Sequence, residues 1–447
     1  MEIDPTIFKA YDIRGTYPDQ LNDQLAYQLG LALAQYLKAK QVVVGQDARP
    51  SSDALADNLI RGLADQGVAV TDIGLCTSPM LLFACAAGDF DGGVMVTASH
   101  NPPQYNGFKL SCQGGQPIGQ GTGLEEIRQL VQEKQFSPLN QGGAINKKEI
   151  LNDYLAETFS HFEASRLDSF KIVADAGNGV AGLVFPEFFA NLNCQVFPLY
   201  WQPDGSFPNH LANPLIKETL KDCQQKILSE KADLGIATDG DGDRIFFLDE
   251  KAKVVAGDLI TALIAREILK VKPGSKIIYD VRSSQIVKET IEQCHGVPFV
   301  SRIGHSFFKT TMRKENIYFG GESSGHYYLK DNAFREAPMV VILYILKILT
   351  ETKRTLSSVI APFLKYFSSG EINFSVKDKE AALRDIERHY DTGQISHIDG
   401  LSVEYDDWNF NLRCSNTEPL LRLNLEADNQ ELLQHKLEEI KGLLNQY

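Results

Sequence analysis

Ser99, His100 and Lys109 lie together in Val94-Met-Val-Thr-Ala-Ser-His-Asn-Pro-Pro-Gln-Tyr-Asn-Gly-Phe-Lys-Leu110. A serine hydroxyl flanked by an imidazole and an ammonium can carry a phosphate, because the donors and cations that phosphate needs are at hand. The apolar run Val94 to Val96 reads as a strand, and Pro102-Pro103 forbids regular structure after it, so Ser99 is expected on a loop at a strand's end. Open α/β sheets put their chemistry on such loops. On these residues alone, a tight Pro/Asn turn whose Ser and His satisfy local backbone groups is the competing reading.

A second stretch, Asp239-Gly-Asp-Gly-Asp-Arg244, narrows the choice. Carboxylates at i, i+2 and i+4 share one side of an extended segment, whereas a helix would scatter them. The intervening glycines let the backbone bend so that all three converge. At about 4 Å and an effective dielectric of about 20, each like-charged pair repels by about 4 kcal/mol. Such a cluster calls for a cation, and hard oxygens with few other ligands suit Mg²⁺. Asp239, Asp241, Asp243 and Glu250 also match the acidic positions of an EF-hand calcium loop. Against calcium, Arg244 stands where that loop needs glycine, and the flanks Leu234–Thr238 and Ile245–Leu248 read as strands rather than helices.

The elements that must position these groups alternate. A helix is expected from about Asn22, with Leu25, Leu29, Leu33 and Leu37 at i+4 spacing. Gln41–Gly45 reads as a buried strand, Ser51-Ser52 can cap the next helix, and Val68–Val70 and Gly93–Val96 supply further strands. A helix carrying Ile150, Leu151, Tyr154, Leu155 and Phe159 leads into a second segment. There Lys171-Ile-Val-Ala-Asp-Ala-Gly-Asn-Gly179 repeats the strand-then-Asp-then-turn order of Val42-Val-Val-Gly-Gln-Asp-Ala-Arg49, and Lys276-Ile-Ile-Tyr-Asp-Val-Arg-Ser-Ser284 repeats it again. These units argue for three domains of similar α/β topology, each with a parallel or mixed sheet covered on both faces. Gly257 to Lys270 opens the third as a helix. Composition shifts at Ser368-Ser-Gly370. Beyond it a strand (371–376), a helix near 379–390, runs at 401–405 and 408–412, and a final helix near 430–445 read as a separate α+β domain. That last helix places Leu432, Leu433, Leu437, Ile440 and Leu443 on one face. The expected boundaries are 1–150, 151–255, 256–367 and 368–447.

Composition sets the outer bounds. A chain of 447 residues favours three or four domains. With 43% hydrophobic and 23% charged residues it reads as an ordinary globular protein. A net charge of −14 argues against non-specific nucleic-acid or anionic-membrane binding, so an anionic substrate must be held by local Arg and Lys. The seven cysteines are odd in number and form no CxxC pair, which points away from zinc and disulfides and towards a reducing cytoplasm. The start, Met1-Glu-Ile-Asp-Pro, has neither a basic nor an apolar signal region. The most apolar run, Met339 to Leu349, is broken by Lys347 and too short to span a bilayer.

Together, Thr97-Ala-Ser-His-Asn-Pro102 and Asp239-Gly-Asp-Gly-Asp-Arg244 resemble the α-D-phosphohexomutase superfamily, in its phosphomannomutase/phosphoglucomutase branch. The similarity runs from Phe8 to Ala427. It implies three doubly wound mixed-sheet α/β domains and a C-terminal α+β domain around a central cleft. It implies interconversion of hexose 1-phosphate and hexose 6-phosphate, of mannose or glucose, through phospho-Ser99. The cofactors implied are Mg²⁺ and glucose 1,6-bisphosphate or mannose 1,6-bisphosphate as activator. Asp239, Asp241 and Asp243 match the metal ligands, a phospho-Ser99 oxygen completing the set. Arg244, His100 and Lys109 match positions around the moving phosphate, Lys109 serving in proton transfer or in charge neutralisation.

By the same resemblance, Gly320-Gly-Glu-Ser-Ser-Gly-His326 is a sugar-recognition loop, with Glu322, Ser324 and His326 toward the sugar. His305 and Arg282 stand near it. Arg413, Ser415, Asn416, Thr417 and Arg422 belong to a loop that grips the non-reacting phosphate. Read from its own neighbours, Arg14 follows a short apolar stretch and precedes a glycine, which suits either a phosphate contact or a solvated arginine, and with Tyr11 it completes the expected substrate-binding set. Many members carry Asp-Gly where this chain has Arg335-Glu-Ala-Pro338, and Ser323 occupies a variable position; both bear on sugar preference. The expected partners are small hexose phosphates, with a monomer or homodimer as the assembly. A phosphoglucosamine mutase is the near alternative. A Mg²⁺-dependent phosphohydrolase acting through Ser99 and a calcium-stabilised binding protein are the alternatives from other classes.

Overall fold

In a computed structural model of the chain, each strand-then-Asp-then-turn unit closes in the same way. At the strand's end, or one residue past it, stands an aspartate whose Oδ1 accepts the backbone N–H two residues on: Arg49 N to Asp47 at 3.1 Å, Gly177 N to Asp175 at 2.8 Å, and Arg282 N to Asp280 at 2.8 Å. This Asx turn lets the chain leave the sheet at a fixed angle. The structure describes residues 4–133, 136, 142–160, 162–414 and 420–447.

The chain divides into two compact units, Met1–Val255 with Ser324–Val359, and Ala256–Ser323 with Ile360–Tyr447. The first contains a seven-stranded mixed sheet. Its path runs Ile13–Thr16, Tyr105–Cys112, Gly92–Val96, Gln41–Gln46, Ala69–Leu75, Ile145–Lys147, with Gln116–Ile118 paired to Tyr105–Cys112. The pairs 41–46/92–96 and 41–46/69–75 are parallel, and the pairs made by Tyr105–Cys112 are antiparallel. Helix Asp23–Leu37 is capped by Asn22, whose side chain accepts from Leu25 N at 3.0 Å, and it buries Leu25, Leu29 and Leu33. It packs on helix Ser52–Asp65 so closely that a Cβ on Gly30 would lie 2.3 Å from Leu59 O and one on Gly62 would lie 2.2 Å from Tyr27 O. Ser51 and Ser52, at the start of the second helix, do not cap it with their side chains, contrary to the sequence reading. Ser52 Oγ donates to Asp47 Oδ1 at 2.6 Å and Ser51 Oγ accepts from Asn106 at 2.8 Å, so both hydroxyls are claimed by the sheet side of the turn.

A five-stranded sheet follows, in the order Val254–Val255, Ile245–Leu248, Leu234–Thr238, Lys171–Asp175, Gln195–Leu199. The apolar run at Met339–Leu349 lies in the buried helix Pro338–Thr352. No helix among the described residues is long and apolar enough to cross a membrane.

In the second unit, Lys276–Asp280 pairs in parallel with Val297–Ser301 and Phe319–Gly321. The C-terminal sheet is antiparallel throughout: Phe367–Ser375, Leu420–Ala427, Trp408–Cys414, Leu401–Glu404, Gln394–Ser396. Helices Lys379–His389 and Gln430–Leu444 accompany it, and the latter buries Leu433, Leu437, Ile440 and Leu444, with Leu432 and Leu443 half-buried. This is the expected α+β pattern. Ser368-Ser-Gly370, read from composition as a break, lies inside the strand Phe367–Ser375 as a bulge, with Leu425 N donating to Ser369 Oγ at 3.0 Å.

Candidate active site

Strand Gly92–Val96 delivers Thr97 and Ser99 to one end of the first sheet. Thr97 Oγ1 donates to Asp47 Oδ2 at 2.7 Å and accepts from Ser99 N at 2.8 Å, which fixes the start of the loop. Ser99 has a left-handed backbone, φ 51°, and its side chain is buried. Its hydroxyl donates to Asp239 Oδ2 at 2.6 Å and lies 3.1 Å from His100 Nδ1. Serine and acidic turn, 140 residues apart, thus meet directly.

The carboxylates converge, but not by the extended geometry that their spacing predicts. Asp239–Asp243 is a turn: Gly242 N donates to Asp239 O at 3.2 Å and Gly242 has φ 67°, a conformation that glycine adopts without strain. All three side chains are buried, and one oxygen from each falls within 4.8 Å of the others. Lys109 Nζ sits 2.6 Å from both Asp241 Oδ2 and Asp243 Oδ2. Ser78 also donates to Asp241 Oδ2, while Asp241 Oδ1 is buried with no hydrogen-bond partner. An orphaned carboxylate oxygen inside a triad of hard oxygens fits a divalent cation of the Mg²⁺ kind.

The local fields follow. Burial, with Asp243 and Asp241 nearby, pushes the Asp239 carboxyl up. Burial would do the same to Asp243, but Lys109, His326 and Arg244 outweigh it and hold that group well below the usual carboxylate range. Burial opposes the Lys109 ammonium, yet Asp241, Asp243 and Asp239 overcome it and keep the group charged. Burial, Arg244 and Arg14 push His100 well down, so it is an uncharged imidazole at neutral pH.

The first unit brings the remaining groups of this half together. Arg244 Nε is 3.7 Å from Asp239 Oδ2 and 3.4 Å from His326 Nε2, which itself lies 3.3 Å from Asp243 Oδ1. Ser324 Oγ is 3.0 Å from His326 Nδ1. Arg14 donates to Asn101 Oδ1 at 2.9 Å and to Asp12, and its Nε is buried without a partner. Tyr11 is partly buried just ahead of strand Ile13–Thr16.

Arg282, His305, Glu322, Arg413 and Arg422 lie in the second unit, and the stretch 320–326 passes from one unit to the other after Ser323. Arg282 grips Asp280 with two bonds, Nε at 3.1 Å and Nη2 at 2.9 Å. Glu322 is buried and accepts from Gly304 N at 3.2 Å, next to His305 at the start of helix His305–Glu315. Arg413 and Arg422 are register partners on adjacent strands, and both reach Glu371, at 2.6 Å and 3.3 Å. Burial and the neighbouring Arg282 weaken the Arg413 guanidinium's hold on its proton, and its Nε is buried with no partner. A spare donor in a net-cationic cluster suits an anion. Ser415, Asn416 and Thr417 lie outside the described residues.

Arg335, where the chain departs from the family's Asp-Gly pattern, is held by packing and an ion pair. Its side chain is buried, pairs with Glu157 of helix Leu151–Phe159 and sits over the Phe83 ring at 5.3 Å. Ser323 is held by its backbone, N to Asp280 Oδ2 at 2.8 Å. Residue-by-residue reading missed Asp12, Asp47, Arg49 and Ser78. The signal was partly visible: Asp47-x-Arg49 and Asp280-x-Arg282 share one spacing, and in both the arginine Nε bonds its own aspartate, at 3.0 Å and 3.1 Å.

Mixed-sheet α/β domains and a serine hydroxyl aimed at an acidic turn are the parts of an enzyme that moves phosphoryl groups. Residues 5–138, 151–253 and 256–366 match the family models for phosphoglucomutase/phosphomannomutase, alpha/beta/alpha domains I, II and III, and residues 371–443 match that for the C-terminal domain. A protein of Xanthomonas campestris pv. campestris (strain B100) named phosphohexose mutases is 40% identical, over 98% of this chain and 98% of its own length. A phosphomannomutase of Vibrio cholerae serotype O1 is also 40% identical, over 98% of each chain. The solved structure of a phosphoglucomutase/phosphomannomutase family protein from Burkholderia thailandensis is 31% identical, with a TM-score of 0.91, covering 99% of this chain and 97% of that one. The chain belongs to the phosphoglucomutase/phosphomannomutase family, and it is an isomerase of the phosphotransferase kind.

Proposed function

We propose that this enzyme interconverts hexose 1-phosphate and hexose 6-phosphate, of mannose and/or glucose, through phospho-Ser99 and a hexose 1,6-bisphosphate. The observation that carries this reading is the 2.6 Å contact between Ser99 Oγ and Asp239 within the acidic triad. The names of the relatives, phosphomannomutase and phosphohexose mutase, support the substrate class.

In the first half-reaction the Oγ–P bond of phospho-Ser99 breaks and a P–O bond to the free sugar hydroxyl forms. The bisphosphate then turns over in the site and returns its other phosphate to Ser99 Oγ. The proton lost by the sugar hydroxyl is balanced by the one that Ser99 Oγ regains. His100 Nδ1, 3.1 Å from that oxygen, would pass the proton along. Mg²⁺ bound by Asp239, Asp241, Asp243 and the phosphoserine would supply charge neutralisation for the group in transfer. Of the two roles open to Lys109, its position between Asp241 and Asp243 favours neutralisation over proton transfer. Arg413 and Arg422 would hold the phosphate that is not reacting, and Glu322, Ser324, His326, His305, Arg282, Tyr11 and Arg14 would orient the sugar. Seven free thiols suit a reducing cytoplasm.

A ³¹P NMR time course tests this reading, with mannose 1-phosphate, Mg²⁺ and a trace of glucose 1,6-bisphosphate. A 6-phosphate signal should grow at the expense of the 1-phosphate. Growth of inorganic phosphate instead would mean that water takes the group, and a phosphohydrolase would replace the mutase.

A further inference from the structure

Arg49 follows strand Gln41–Gln46 and is buried. A guanidinium has five N–H donors, and here every one is used. Nε donates to Asp47 Oδ2 at 3.0 Å. Nη1 donates to the carbonyls of Pro102 at 2.7 Å and Tyr105 at 2.9 Å. Nη2 donates to the carbonyls of Ser99 at 2.8 Å and Asn101 at 2.7 Å. The carbonyls of Ser99, Asn101 and Pro102 in the serine loop, and of Tyr105 at the start of the next strand, are therefore gathered by one side chain.

The outer face of the same guanidinium lies over the Phe207 ring, 5.3 Å from its centroid. Phe207 has φ 51°, rare for a bulky residue, and its segment is tied down by Gly205 N donating to Ala48 O at 3.0 Å. The acidic turn closes the third side: a Cβ on Gly240 would sit 2.5 Å from Ser99 O and 3.5 Å from the Phe207 ring. Arg49 thus lies where the serine loop, the acidic turn and the 204–207 segment meet. Arg14, by contrast, keeps an unused Nε. With no donor to spare, Arg49 is not a phosphate ligand.

We propose that Arg49, backed by Phe207, is a positioning residue that sets the backbone of the Ser99 loop, and so the line along which Ser99 Oγ gives and takes the phosphoryl group. The inference rests on Ser99 as the phosphoryl carrier. Misplacing a reacting atom by about 1 Å costs about 100-fold in rate, with little effect on binding made elsewhere.

The test is Arg49→Lys in the full-length enzyme, which keeps the charge and loses the fork. Turnover of mannose 1-phosphate and the rate of Ser99 phosphorylation by glucose 1,6-bisphosphate, followed by intact mass, are measured together. We expect kcat and the phosphorylation rate to fall about 100-fold while KM moves less than about threefold. Unchanged kcat, or a loss confined to KM, overturns the proposal. Wild-type enzyme that takes no phosphate on Ser99 refutes the underlying reading instead, so the two failures are distinct. Should Arg49→Lys not fold, Phe207→Leu removes the ring and leaves the guanidinium; a fall in kcat of about fivefold at constant KM supports the role, and unchanged kcat refutes it.

Discussion

Ser99 Oγ stands 2.6 Å from Asp239 Oδ2, so the hydroxyl that would carry phosphate is hydrogen-bonded to the group that would carry the metal. Ser99→Ala should therefore abolish turnover, by at least about a thousandfold, and leave the fold intact. Mannose 1-phosphate turnover and the melting curve check both halves. Residual turnover near wild type would remove the phosphoserine from the scheme.

Asp241 offers the one triad oxygen that is buried with no hydrogen-bond partner and no cation beside it. Saturation at about 100 times Kd adds about 2.7 kcal/mol, so Mg²⁺ should raise the wild-type melting temperature. Asp241→Asn should weaken Mg²⁺ binding at least about tenfold, because even an indirect metal partner costs that much. Calorimetric titration with Mg²⁺ settles it; equal affinity in the two proteins would make the triad structural.

Lys109 is the ammonium that these carboxylates rely on without a metal. Breaking a buried ion pair from one side costs about 3–5 kcal/mol. Lys109→Met should lose about that much in urea unfolding with EDTA present, and clearly less with saturating Mg²⁺, since a cation can replace the missing charge. An identical loss in both buffers would contradict the electrostatic account.

His210 carries a pH signature away from the triad. Burial lowers its pKa, but the bond to Asp175 Oδ2 at 3.1 Å, the Asp175 charge and Leu211 O outweigh that and raise it. A folded pKa above the unfolded value of about 6.5 means that the contribution is fully present below about pH 6.5 and is lost as pH rises through the folded value. The stability gap between wild type and His210→Asn should thus be wider at pH 5.5 than at pH 8.5. A constant gap in urea unfolding would show that the pair is not ionic.

Arg413 has a buried, unpartnered Nε beside Glu371. Charge-assisted bonds to a phosphate contribute about 1.5–3 kcal/mol, so Arg413→Ala should raise KM for hexose phosphate about 10- to 100-fold, with a smaller change in kcat. A KM within about twofold of wild type would exclude the residue from phosphate binding.

The sequence exposed chemistry wherever the chemistry was contiguous. Ser99-His100 and Asp239 to Arg244 each lie in one short run, and strand ends predict where such runs emerge. It hid what depends on meetings between distant residues. Ser78, which donates to Asp241, is 163 positions away from it, and Arg49 works through carbonyls that carry no residue identity at all. Ser51 and Ser52 read as caps until Asn106 and Asp47 claim them. The triad's convergence was foreseeable from its glycines, but its shape was not, because positive φ at Gly242 turns an alternating pattern into a bend.

The repeated Asx turn has one more consequence. Each of Asp47, Asp175 and Asp280 is buried, spends Oδ1 on the backbone two residues on and meets a basic side chain with Oδ2, so the turn works as a socket. Arg49 fills the first, His210 the second and Arg282 the third, at 3.0, 3.1 and 2.9 Å. One recurring fitting thus serves three trades: a brace for a loop, a titrating latch and, on the function proposed above, a cation turned to the substrate. Exchanging the third plug should therefore alter substrate binding, on that same reading, and should cost stability because the buried Asp280 loses its guanidinium partner.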